Sequence, residues 1–152
     1  MALSLQEVSD RMEIEDLVYR YSDIIDGKQF DALLTVFTED ARIDYSGTGG
    51  GGGNVEDTRT FLSQSLPMFP RTQHLMSNIR ITLDGDTATG RVMCFNPMYF
   101  AVEGAPSQQM FYGLWYNQKY VRTADGWRIS ELSQEGSWDF NTPEAMALNK
   151  DA

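Results

Sequence analysis

The hydrophobic period of this chain changes at Arg71. Before that point apolar residues recur at helical spacing; after it they alternate, almost to the end. Leu5, Val8, Met12, Leu17, Tyr21 and Ile24, joined by Ile14, Val18 and Ile25, predict one long helix. The capping-box pair Ser4 and Glu7 opens it and Gly27 stops it, so Asp26 is its last residue or the one after. Phe30, Leu33, Leu34 and Phe37 stand at i, i+3, i+4 and i+7 and predict a short second helix. A short strand over Arg42–Tyr45 leads to Gly47-Thr48 and five glycines, Gly49–Gly53. Asn54 with Asp57 caps a third helix through Phe61, Leu62 and Leu66, ended by Pro67 and Pro70.

Four strands are expected beyond Arg71. The first carries Leu75, Ser77, Ile79, Ile81 and Leu83 on one face, and His74, Met76, Asn78, Arg80 and Thr82 on the other. Asp84-Gly85-Asp86 turns into a strand from Thr87 to Tyr99, where Pro97 marks a bulge or an edge. A strand from Gln108 to Arg122 and the turn Ala124-Asp125-Gly126 lead to a last strand through Trp127, Ile129 and Glu131 towards Trp138. Thr142-Pro143-Glu144 starts a short terminal helix. Helices segregated from an antiparallel sheet mean an α+β fold. The strand from Gln108 is apolar or aromatic on both faces: Met110, Tyr112, Leu114 and Tyr116 alternate with Phe111, Gly113, Trp115 and Asn117. A sheet with one wet face would show a polar set. One face is therefore expected to meet helices and a pocket, the other a second copy, making a dimer or trimer. One domain over 1–152 is expected, with a flexible glycine loop at 47–53, able to act as a lid, and a C-terminal tail at 139–152.

The glycine run is not a phosphate loop, because no Gly-Lys-Ser/Thr ending follows it. The formal net charge of -10 argues against nucleic acid, whose binding needs clustered Lys and Arg. One cysteine, Cys94, cannot form an internal disulfide, which suits the reducing cytoplasm, and no signal peptide or membrane span is read. No metal and no cofactor are expected.

His74 is the only histidine. Its side-chain type exchanges protons near neutral pH but needs a partner to fix its tautomer. Asp26 is the candidate partner. At a helix C-terminus the backbone dipole opposes a negative charge, so the carboxyl is expected to titrate higher than usual. The bland alternatives are a solvated turn carboxylate and a structural histidine. Met76, Met93, Phe95 and Met110 are read as lining an apolar pocket or, alternatively, as plain core. Tyr21, Tyr45, Tyr116 or Asn96 could donate to a developing oxyanion.

Ile14-Glu15-Asp16-Leu17 with Tyr21, Asp26 through Leu33, Phe37-Thr38-Glu39-Asp40-Ala41 and Asp125-Gly126-Trp127-Arg128-Ile129 together resemble the SnoaL-like branch of the nuclear transport factor 2-like superfamily. That resemblance implies a cystatin-like cone, a curved sheet wrapped around N-terminal helices. Arg42-Ile43-Asp44-Tyr45 and Arg71-Thr72-Gln73-His74 are similar to the corresponding runs of scytalone dehydratases. The spacing from Asp26 to His74 is similar to the Asp–His dyad of hexachlorocyclohexane dehydrochlorinases and bile-acid dehydratases. By that resemblance His74 is the base and Asp26 orients it. Tyr45 matches a tyrosine that helps hold a water on the substrate carbonyl. Other pocket positions depart: the second dehydratase tyrosine falls at Ile25, its second histidine near Met98, and the dehydrochlorinase lysine at Tyr21. The resemblance implies a cofactor-free lyase or isomerase acting on a small apolar molecule, possible classes being aromatic, terpenoid or polyketide. The other readings are a ligand-binding or oligomerisation module of the same fold, a polyketide cyclase, and an epoxide hydrolase built on Asp44 and Arg91.

Overall fold

The computed structural model describes residues 2–148. Helix α1 spans Leu5–Asp26, with Ser4 and Glu7 closing the expected capping box. Its buried face is Ile14, Leu17, Val18, Tyr21, Ile24 and Ile25. Leu5, Val8 and Met12, expected on that face, are exposed; in these turns the buried residue is Asp10, which accepts from Trp127 Nε1 and Arg122 of the sheet. Gly27 caps the helix with ordinary helical dihedrals, and Lys28 takes the left-handed conformation instead, φ 54°. The expected second helix is a single 3₁₀ stretch, Phe30–Thr35, and Phe37 already belongs to strand β1, Phe37–Asp44.

The glycine run is tied down at both ends. Ser46–Thr48 forms a 3₁₀ turn, and β2, Gly52–Gly53, pairs with Ile43 and Asp44 of β1. Helix α2, Val55–Ser65, starts at the capping box of Asn54 and Asp57. Then come β3 (Arg71–Thr72), β4 (Leu75–Asp84), β5 (Thr87–Phe100), β6 (Gln108–Thr123) and β7 (Gly126–Phe140). One sheet holds them in the order β2-β1-β7-β6-β5, with β3 and β4 end to end along the same edge of β5. All pairings are antiparallel except β1 with β7, which is parallel. Sequence periodicity gives no sign of that pairing, because β1 returns to a strand formed at the far end of the chain.

Three one-residue register slips bend the sheet. Two lie along β7 and one in β4. The slip in β4 falls between Ser77 and Arg80, where Asn78 has φ 46°. It reverses the alternation read from sequence. Before it, Met76 stands opposite the buried Cys94; after it, Ile81 and Leu83 stand opposite Gly90 and Ala88. Met76 and Ile81 therefore share the inner face, and the odd/even assignment of β4 holds only beyond the bulge. The core fills the space between α1 and the inner face, with Tyr116, Tyr120, Trp127 and Ile129 fully buried. The strand β7 runs into the segment expected as a tail, and Glu144–Met146 turns back over the fold. Residues 149–152 of that tail lie outside the described residues.

Candidate active site

Pro97 creates the break from which the site is built. The register on either side of it is unbroken: Thr72 faces Met98 and Leu75 faces Phe95. Gln73 therefore stands opposite Pro97, and His74 opposite Asn96. Gln73 N–H donates to the Pro97 carbonyl at 3.1 Å, but Pro97 has no N–H to return the bond, so β3 and β4 separate there. The next pair, His74 with Asn96, is of the non-hydrogen-bonded kind, in which side chains stand close and backbone groups point away. The His74 N–H points to the open edge. Asp26, the last residue of α1, meets it there.

The Asp26 carboxylate accepts three hydrogen bonds. His74 N–H reaches Oδ2 at 2.8 Å, Thr72 Oγ1 donates to Oδ1 at 2.8 Å, and His74 Nδ1 lies 2.6 Å from Oδ1. The His74 side chain is 7% exposed and that of Asp26 24%. The expectation that the helix end would raise this carboxyl is overturned. Burial pushes it up, but the His74 ring bond and charge, the His74 N–H and the Thr72 hydroxyl together hold it below 3.8. An ionised carboxylate only accepts, so Nδ1 carries a proton, and in the neutral ring Nε2 then presents a lone pair. Asn96 Nδ2 lies 3.1 Å from that lone pair.

A cavity of about 270 Å³ opens beside the ring. His74, Asn96, Tyr21, Tyr45 and Tyr116 line it, as expected from sequence. Tyr21 and Tyr45 hydroxyls are 2.9 Å apart, and Gln134 Nε2 donates to the Tyr116 hydroxyl at 3.2 Å. Thr48 in turn donates to Gln134 Oε1. Burial pushes the three phenols well above their ordinary value of 10, so they stay neutral donors. Among the described residues the lining contains no Asp, Glu, Lys or Arg.

The methionine and phenylalanine expectations meet a different outcome. Met93 and Phe95 alternate with the inward Val92, Cys94 and Asn96, and so lie on the outer face of β5. Met76 packs against the core and Met110 is fully buried in it, and neither lines the cavity. The apolar lining comes instead from Ile25, Phe61, Leu62, Phe69, Met98 and Leu114. Met98 was legible by counting two residues on from Asn96. The contributions of α2 and of Met146 were not, since they depend on how segments distant in sequence fold over the mouth. The constellation for epoxide hydrolysis is not assembled. Arg91 binds Glu135 and stacks on Trp115, and Asp44 caps the Ser46 N–H, all away from the cavity.

The SnoaL-like domain family matches residues 6–133. An uncharacterized protein of Mycobacterium tuberculosis is 50% identical over 127 residues, 84% of this chain and 85% of its own. Two solved structures share the fold at lower identity. One is a provisionally assigned scytalone dehydratase of Novosphingobium aromaticivorans: TM-score 0.80, 18% identity, 95% of each chain covered. The other is a hexachlorocyclohexane dehydrochlorinase of Novosphingobium barchaimii: TM-score 0.79, 20% identity, 92% of this chain and 94% of that one.

Proposed function

Because the chain belongs to the SnoaL-like domain family, within the nuclear transport factor 2-like superfamily, we propose that it is a cofactor-free lyase or isomerase whose base is His74. The observation that carries this reading is the 2.6 Å contact between Nδ1 and an ionised Asp26, which leaves the Nε2 lone pair beside the cavity. A pocket that only held a ligand would have no need to poise a base. The substrate is a small, uncharged, largely apolar molecule with an acidified C–H bond. This follows from a lining without formal charge among the described residues and from a volume just under the usual ~300–1,000 Å³ of ligand pockets.

Nε2 takes the proton, and the C–H electron pair becomes a new π bond. In an elimination the leaving group departs with its own bonding pair; in an isomerisation the proton returns at another carbon. Asp26 stabilises the imidazolium and keeps its orientation. Within the Tyr21–Tyr45 pair one hydroxyl donates to the other, which leaves one O–H free for an oxygen where charge develops. The dehydratase and dehydrochlorinase relatives in fold lend support to elimination. The outer face of the sheet supports self-association: Phe95, Trp138 and Phe140 are exposed, with Phe111 stacked on Phe140 and tilted against Phe95, which in turn packs on Trp138.

A panel of small hydroxy ketones and halogenated cycloalkanes, followed for loss of water or halide and for deuterium uptake from D₂O, tests the reading. Turnover of a panel member should fall about 10²–10⁴-fold in His74→Gln. Turnover that survives both His74→Gln and Asp26→Asn refutes it. Binding without any conversion, equal in wild type and His74→Gln, would leave a ligand-binding cone.

A further inference from the structure

Asn96 is buried, 6% exposed, and its two amide ends are unequal. Nδ2 donates to His74 Nε2 at 3.1 Å, while Oδ1, buried as well, has no hydrogen-bond partner among the described residues. Buried amide oxygens are nearly always bonded, so this one calls for an explanation. Resting on the reading of His74 as base, we infer that Asn96 is a positioning residue with two working orientations. Its Nδ2–H caps the lone pair of the neutral ring, and its Oδ1 accepts from Nε2–H once the ring holds the substrate proton.

The chemistry requires such an exchange. When the substrate C–H breaks, its pair stays on the substrate and an N–H bond forms at Nε2. The displaced amide N–H cannot return to that N–H unturned, since both groups are donors. Half a turn about the Asn96 Cβ–Cγ bond swaps the ends without changing the volume occupied. The imidazolium is then bound on both sides, by Asp26 at Nδ1 and by Oδ1 at Nε2. The resting cap also sets a condition for turnover: a substrate has to displace Nδ2–H before Nε2 can reach a C–H bond. The strand register serves this role, since a non-hydrogen-bonded pair brings the two side chains together.

Among the described residues, the titratable groups around the ring are Asp26 from α1, Tyr21, Tyr45, Tyr112 and Tyr116 on the cavity wall, and the Cys94 thiol on β5. Burial pushes Cys94 and Tyr112 each up to about 12. The bonds from His74 and Thr72 hold Asp26 below its ordinary value, and burial holds the phenols of Tyr21, Tyr45 and Tyr116 above theirs.

The test is a pH titration of the full chain by nitrogen NMR, in which the single histidine makes the ring signals unambiguous. The Asn96 side-chain amide, assigned by its disappearance in Asn96→Asp, should move with the same midpoint as the ring and lose its hydrogen-bonded shift as the ring charges. Asn96→Asp can only accept, and should hold the ring proton about tenfold more tightly, one pH unit in the midpoint. An amide that stays put while the ring protonates overturns the proposal, as does an unchanged midpoint in Asn96→Asp. If the amide stays put while His74→Gln still abolishes turnover, the exchange fails and the base reading stands. If the amide turns while His74→Gln remains active, the base reading fails on its own.

Discussion

Asp26→Asn tests the site in a way that separates chemistry from scaffolding. Its carboxylate takes three donors, and an amide of the same shape offers one acceptor and one donor end. With the oxygen kept on the His74 N–H, the new N–H₂ faces Nδ1. The ring must then accept at Nδ1 and carry its proton on Nε2, the nitrogen that has to be empty for a base. A hydrogen bond to a charged group contributes about 1.5–3 kcal/mol against about 1 for a neutral one, so downgrading the bonds should cost about 2 kcal/mol. For a chain of this length that corresponds to about 4–8 °C in Tm. The sign with pH is fixed by the lowered carboxyl. The contribution of Asp26 is fully present above the ordinary value of 3.8 and is lost as pH falls through the lower folded-state value. Urea denaturation should therefore show a gap between wild type and Asp26→Asn at pH 7 that closes towards pH 3. Nitrogen NMR of the single histidine should show the proton moved from Nδ1 to Nε2. A variant whose ring keeps its Nδ1 proton, or a gap as large at pH 3 as at pH 7, would refute the reasoning.

Two further outcomes follow from the structure. Tyr21→Phe and Tyr45→Phe each leave a buried hydroxyl without its partner and should each cost about 1–3 kcal/mol; the double variant should cost clearly less than their sum, which a denaturation double-mutant cycle measures. Trp138→Ser and Phe95→Ser on the outer face should lower the oligomer mass in sedimentation while leaving the helix content in circular dichroism unchanged.

What was legible in the sequence was local. Ser4 with Glu7 and Asn54 with Asp57 placed both helix starts, because a cap is set by side chains three residues apart. The Asp26–His74 pair was read from a lone histidine, a carboxylate oddly placed at a helix end, and a spacing that resembles the dyad of dehydrochlorinases; neither residue alone outweighed its bland reading. The parts that escaped depend on tertiary context. One extra residue at Asn78 reversed the face of β4, and no single-strand pattern reports a bulge in advance. Met93 and Phe95 were assigned by residue type and not by parity with Asn96, and parity decided. The Asp26 carboxyl followed its three donors and not the helix dipole, since short hydrogen bonds outweigh a field already screened at a partly exposed end.

The parallel union of β1 with β7 has a kinetic corollary. Asp26, His74 and Asn96 all lie in the first two-thirds of the chain and can meet as soon as β5 exists. The wall bearing Gln134, and the seam that shuts the cone, must wait for the final strand to emerge. Loop closure over so long a contour is slow. During synthesis the acid–base pair should thus assemble before the chamber that shelters it, leaving an interval when the half-made sheet exposes its greasy inner face to chaperones.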